Sequence, residues 1–257
     1  MKMTASTLAA GAAALLPEGK RAALGRPGAG PAILGIVMLD TRFPRPPGDI
    51  GNPRTFAFPV RYRTVRGASP RRVVVERDPS LLAPFIDAAR ALEADGATAI
   101  TTSCGFLALF QRELAAAVRV PVWTSSLMLI AGIEARLARG RRVGIVSADA
   151  ASLTVDHLRA VDAPVDAPIE GLALDSAFRA TLLEDRVELD VEEASRTTVD
   201  AALRLGARRP DVAEIVLECT NLPPYADAVR SATGLPVHDI TTLIAERFAA
   251  SSTDNRA

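Results

Sequence analysis

Lysine is almost missing from this chain. Its 257 residues hold Lys2 and Lys20 and none beyond them. That excludes a pyridoxal-phosphate enzyme, which anchors its cofactor as a Schiff base on a lysine in the body of the fold. Histidine is nearly as scarce, with only His157 and His238. No His-x-x-x-His, no Cys-x-x-Cys and no Asp/Asn-rich calcium loop occurs, so no metal is expected. A Gly-x-x-x-x-Gly-Lys-Ser/Thr phosphate loop is absent too. Charge of either sign is not in surplus, with 30 Lys+Arg against 30 Asp+Glu and no basic stripe. Nucleic acid and anionic membranes are therefore not expected partners. No segment approaches the roughly 20 apolar residues of a membrane span.

Residues 1–30 are rich in Ala and Gly and read as a flexible N-terminal extension. The competing reading is a signal peptide over Thr7–Leu16, but Pro17-Glu18-Gly19-Lys20 stands where a small-residue cleavage site belongs. Two cysteines without an evident partner fit a reducing, cytoplasmic setting.

Those two cysteines, the only ones present, sit in matching places of a repeat. One copy reads Ala99-Ile-Thr-Thr-Ser-Cys104-Gly-Phe and later Val120-Pro121-Val122. The other reads Glu214-Ile-Val-Leu-Glu-Cys219-Thr-Asn and later Leu235-Pro236-Val237. Cysteine to proline is 17 positions in both, and the copies stand 115 apart. The strand Leu34-Gly35-Ile36-Val37 is likewise echoed by Val143-Gly144-Ile145-Val146.

Apolar, β-branched runs at 33–38, 57–65, 97–102, 120–124, 142–147, 213–218 and 235–240 alternate with helical spacing. That alternation predicts an α/β fold of parallel sheets flanked by helices. With the duplication it predicts two pseudo-symmetric lobes with a site in the cleft between them. We expect a first lobe of 31–123 plus 236–250, a second of 124–235, and a tail of 251–257. The Pro- and Gly-rich segment 41–56 has no period and reads as a loop beside the site.

Each cysteine ends an apolar strand just before a helix, at the sheet edge where α/β proteins bind ligands. A helix start favours thiolate, and the backbone at Gly105-Phe106 and Thr220-Asn221 could hold a carboxylate. Thr220 and Asn221 add side-chain donors. Asn52 either binds substrate or makes an Asx turn. Thr124 either lines the cleft or caps the next helix. His238 and Asp239 are sequence neighbours in a strand and face opposite sides. His157 reads as surface or packing, and Arg61 and Arg63 as solvent-facing.

Asp40 after the first strand, Ser103-Cys104-Gly105, and Glu218-Cys219-Thr220-Asn221-Leu222-Pro223 carry a resemblance. Over residues 32–250 the chain resembles the cofactor-independent aspartate/glutamate racemase superfamily, which includes hydantoin racemase, maleate isomerase and arylmalonate decarboxylase. It departs from glutamate racemase, which has Asn-Thr after the first cysteine and a histidine where Asn221 stands. The resemblance implies that Cys104 and Cys219 are catalytic from opposite sides of a cleft and that Asp40 is an acidic residue near the first; by its own position Asp40 either orients or deprotonates a cysteine or caps the loop. From their own positions Ser103, Gly105, Phe106, Thr124, Thr220, Asn221 and Asn52 are the candidates to surround a small carboxylate.

Two thiols suit racemisation, because one removes a proton from one face of a carbon and the other returns one to the opposite face. The expected enzyme is thus an isomerase, a cofactor-independent racemase or epimerase of amino acids. A maleate-isomerase-like activity, a decarboxylase and a non-catalytic two-lobe binding protein stand as alternatives. No cofactor is signalled, and a homodimer is compatible with all of these readings.

Overall fold

A computed structural model describes residues 32–253 of the chain; the expected N-terminal extension lies outside them. Six consecutive buried residues, Leu34–Leu39, form β1. A strand apolar on both faces belongs inside a parallel sheet covered by helices. β1 pairs in parallel with β2 (Val60–Val65) on one side and β3 (Ala99–Thr102) on the other, and β4 (Val122–Trp123) pairs with β3. In the second half β5 (Arg142–Ser147) lies between β6 (Ile169–Gly171) and β7 (Val212–Leu217), and β8 (Val237–His238) pairs with β7. The strand orders are β2-β1-β3-β4 and β6-β5-β7-β8, the same pattern twice. The expected two-lobe α/β fold is the one observed.

The repeat extends to how helices dock. Gly35 in β1 lies under α1 (Leu82–Ala94), where an added Cβ would meet Leu92 at 3.1 Å. Gly144 holds the equivalent place in β5 under α6 (Val191–Arg208), where a Cβ would meet Leu205 at 2.6 Å. Small residues at these points let each long helix approach its sheet closely.

The helix after each lobe's last strand crosses to the other lobe. Ser126–Leu129 and α3 (Ile130–Glu134), which follow β4, pack against β7 and β5. Conversely α8 (Ile240–Thr253), which follows β8, brings Phe248 onto Phe58 at 4.7 Å and edge-on to Trp123 at 6.1 Å in the first lobe. The expected grouping of 236–250 with the first lobe therefore divides: its helix packs there, but its strand pairs in the second sheet.

Two elements were not expected, β6 and α5 (Ala177–Glu184). β6 is three residues long with Glu170 at its centre, so it shows no apolar run. Arg204 and Arg208 neutralise that carboxylate at 3.2 and 2.8 Å. Among the described residues no helix is long and apolar enough to cross a membrane.

Candidate active site

The carboxyl ends of both sheets meet at the lobe interface, and the chain ties them there. Thr220 Oγ1 donates to Ser103 O at 2.7 Å, and Ser126 Oγ donates to Leu217 O at 2.7 Å. The loop 41–56 leaves β1 and reaches across, so that Phe43 packs into the second lobe's core. Under it, Cys104 and Cys219, both free thiols, face one narrow, partly open cavity of about 30 Å³. Leu39, Phe43, Arg45, Phe106 and Leu182 complete most of its wall. That volume holds about one water, and Phe43 of the loop and Leu182 of α5 stand on its wall.

Cys104 adopts an extended backbone and starts the short 3-10 turn Gly105–Phe110. The N–H groups of Phe106 and Leu107 face its sulfur and favour thiolate, as does Arg45. Burial, reinforced by the charge of Glu218, outweighs them and pushes the thiol up to about 12. Cys219 is half-buried by surface area, yet desolvation by surrounding protein, followed by the Glu218 charge, raises it well above the ordinary thiol range. The expected drop towards neutrality at a helix start is thus reversed here, because desolvation exceeds what one or two N–H groups return.

A chain of side chains holds Cys219 from the loop. Arg45 Nη1 pairs with Asp49 Oδ1 at 2.8 Å, and Gly51 N–H donates to the same oxygen at 2.7 Å. Asn221 Nδ2 donates to Asp49 Oδ2 at 2.6 Å, leaving Asn221 Oδ1 to accept from Cys219 Sγ at 3.4 Å. Arg45 also donates to Thr41 Oγ1 at 3.0 Å and lies over the Phe43 ring at 4.6 Å.

Of the sequence-derived site residues, Cys104, Cys219, Ser103, Gly105, Phe106 and Asn221 lie on the cavity wall. The other four are engaged elsewhere. Asp40 is exposed and accepts the N–H of Gly67 at 2.9 Å, because successive strand residues alternate and it is Leu39 that turns inward. Asn52 makes the Asx turn, accepting from Arg54 N at 2.8 Å and donating to Arg45 O at 2.7 Å. Thr124 is locked to Gln111 Oε1 through its N–H and hydroxyl at 3.0 and 2.7 Å. Thr220 makes the bond between lobes already described.

His157 is fully buried, accepts from Thr154 N at 3.1 Å and packs edge-on against Phe106 at 5.2 Å. His238 pairs with Glu214 at 2.6 Å, whereas Asp239 caps α8 by accepting from Thr241 N at 2.7 Å. Arg63 forms an exposed pair with Asp95 at 2.8 Å. Among the described residues no cluster of His, Cys, Asp or Glu is arranged to hold a metal ion.

Sequence reasoning missed Arg45, Asp49 and Glu218. The first two lie in a loop without period, which marks no face. Glu218 did leave a signal: an acid ending the apolar run Ile215-Val-Leu217 belongs in no buried strand without a reason.

Comparison with known proteins settles the family. The chain is 35% identical over 216 residues to the dimethylsulfoniopropionate lyase of Durusdinium sp. clade D, an alignment covering 81% of this chain and 71% of that protein. This chain belongs to the dimethylsulfoniopropionate lyase family. Another member, dimethylsulfoniopropionate lyase 7 of Emiliania huxleyi, is 32% identical over 218 residues, with 81% of this chain and 64% of that protein aligned. For lyase 3 of the same organism the identity is again 32%, and the chain spans 57% of its length. No protein-family model matches the chain.

Family membership corrects the expected isomerase, racemase or epimerase: the relatives are lyases. The resemblance to the aspartate/glutamate racemase superfamily holds at the level of the fold. Unliganded arylmalonate decarboxylase superposes with a TM-score of 0.53 at 20% identity, over 85% of this chain and 91% of that one. A glutamate racemase of Bacillus anthracis gives 0.50 at 16% identity, over 80% and 76% of the two chains.

Proposed function

We propose that this chain cleaves dimethylsulfoniopropionate by β-elimination, releasing dimethyl sulfide and acrylate. The observation that carries this reading is two free thiols on one shared cavity in a chain 35% identical to the Durusdinium lyase. The substrate is a small carboxylate with a sulfonium cation on its β carbon. A thiolate takes the α proton, the C–H electron pair becomes the Cα=Cβ double bond, and the Cβ–S pair leaves on sulfur. The products are neutral dimethyl sulfide, acrylate and a thiol, which returns its proton to solvent when the site opens.

Elimination needs one base, not the pair that racemisation requires. Burial and the charge of Glu218 hold both thiols protonated, and Arg45 is the cation acting on Cys104. The substrate brings the missing positive charge: a sulfonium beside a thiol favours its ionised form. Base and substrate thus become ready together. Arg45 on the cavity wall receives the substrate carboxylate, on which negative charge grows as the proton leaves. Leu39, Phe43 and Leu182 give the methyl groups an apolar surface.

The test is headspace detection of dimethyl sulfide together with NMR of acrylate, using the full chain. Cys104→Ser and Cys219→Ser each lower kcat, and the larger loss, about 10²–10⁴-fold, marks the base. Folded protein that releases no dimethyl sulfide across neutral and alkaline pH, or release untouched by either substitution, refutes the proposal.

A further inference from the structure

Glu218 is buried at the junction of the lobes and lies behind the cavity wall, not on it. Ser147 Oγ donates to its Oε2 at 2.7 Å, while Oε1 has no hydrogen-bond partner. Its carboxyl rests against the backbone of Gly105, the residue after Cys104, where any Cβ would overlap Oε1 and the Glu218 carbonyl oxygen. On its own strand end it precedes Cys219 directly. One carboxyl therefore adjoins the backbone of both cysteines, and its charge acts on both thiols.

We propose that Glu218 is a positioning residue that sets the charge of the thiol pair from behind the cavity wall, without touching substrate. When its carboxyl is protonated, a thiol ionises against little opposing charge. When it is ionised, both thiols are held neutral. The proton balance is internal: the proton that leaves a thiol resides on Glu218, and the three groups together carry one negative charge. Burial, opposed by the Ser147 hydroxyl, pushes Glu218 up to about 7, which places its proton exchange in the working range.

The other groups facing this unit cannot do the same. From the loop, Arg45 favours ionisation of Cys104 and Asp49 opposes that of Cys219, but the two are paired with each other. Beyond Ser147, Asp149 is paired with Arg179 at 3.1 Å. The unpartnered charge beside both thiols belongs to Glu218.

This inference deepens the reading of the site as an eliminase, and its test uses no substrate, so the two can fail separately. Thiolate ultraviolet absorbance is titrated on the full chain, with Cys104→Ser and Cys219→Ser assigning each step. Glu218→Gln keeps the shape and the acceptor for Ser147. Its thiol midpoints are expected about one pH unit lower, or about tenfold more thiolate at a given pH below the midpoint. Glu218→Met removes the same charge at similar length and is expected to lower the thiol midpoints likewise. A purely structural Glu218 moves neither midpoint. Unchanged or raised midpoints in folded Glu218→Gln overturn the proposal; should that variant not fold, the same outcome in folded Glu218→Met does so.

Discussion

Arg45 illustrates how much of a site one side chain can organise. Its guanidinium reaches Asp49 and Thr41 at once while lying on Phe43, and Asp49 in turn fixes Asn221 against Cys219. Asp49 is only 1% exposed, so removing its partner strands a buried charge. Arg45→Met is expected to cost about 3–5 kcal/mol in urea unfolding. Arg45→Lys keeps the charge but replaces a planar fork with a point donor, at a smaller cost of about 1–2 kcal/mol. Asp49→Asn added to Arg45→Met recovers much of the loss, because the uncompensated charge is gone. Equal stability of Arg45→Met and parent would sink this account. The cysteine pair was legible because a repeat puts equivalent residues at equivalent strand ends. Arg45 was not, since nothing in the loop's spacing points it inward. Of the two readings of Asp40, cysteine partner or loop cap, the second is observed: the strand's alternation turns Leu39 toward the cavity, and Asp40 accepts the N–H of Gly67.

At the scale of elements, closure of the site depends on one helix end. Asp185 terminates α5 in the left-handed conformation, with φ 55°. Its carboxylate accepts the backbone N–H groups of Arg42 and Phe43 at 2.6 and 3.2 Å and pairs with Arg42 Nε at 3.1 Å. The loop 41–56 is thereby fastened to the second lobe, beside the cavity that Phe43 and Arg45 help to line. Asp185→Gly suits this backbone position and removes only the fastening. Its expected effect is to weaken closure by about 1.5 kcal/mol, roughly tenfold in the closed population. The measurements are kcat/KM, which falls, and proteolysis within 41–56, which accelerates, while the melting temperature changes little. Unaltered kcat/KM and proteolysis would remove Asp185 from the closing step. α5 and β6 are also the elements the sequence concealed. A strand whose central residue is a charge balanced by arginines 34 and 38 positions away, Glu170 with Arg204 and Arg208, has no local pattern to read. The long strands and α6, with their continuous or helical apolar spacing, were plain.

At the scale of the whole molecule, duplication made the architecture readable, because each half independently implied the same sheet. The reaction was not readable: two thiols at strand ends serve racemisation and elimination alike, and it is kinship with named lyases that corrects the first reading. Two buried titratable groups at the interface, His157 and Glu218, bear on the molecule's stability with opposite signs. Burial lowers His157 from 6.5 to about 4, so between those values the unfolded chain binds a proton the folded chain does not. Stability from His157 is complete above pH 6.5 and declines as pH falls through that window. Glu218 is raised from 4.5 to about 7, so the folded chain holds the extra proton and stability declines as pH rises from 4.5 to 7. From pH 4.5 to 6.5 the two slopes oppose, each up to about 1.4 kcal/mol per pH unit. Urea unfolding across that range separates them. Relative to the parent, Glu218→Gln exposes the His157 slope and loses stability toward acid, whereas His157→Gln exposes the Glu218 slope and loses stability toward neutrality. Because the exposed acidic groups are common to all three proteins, they cancel in the comparison. Slopes of the same sign in both variants would show that one of the two groups is not buried in the protonation state its surroundings impose.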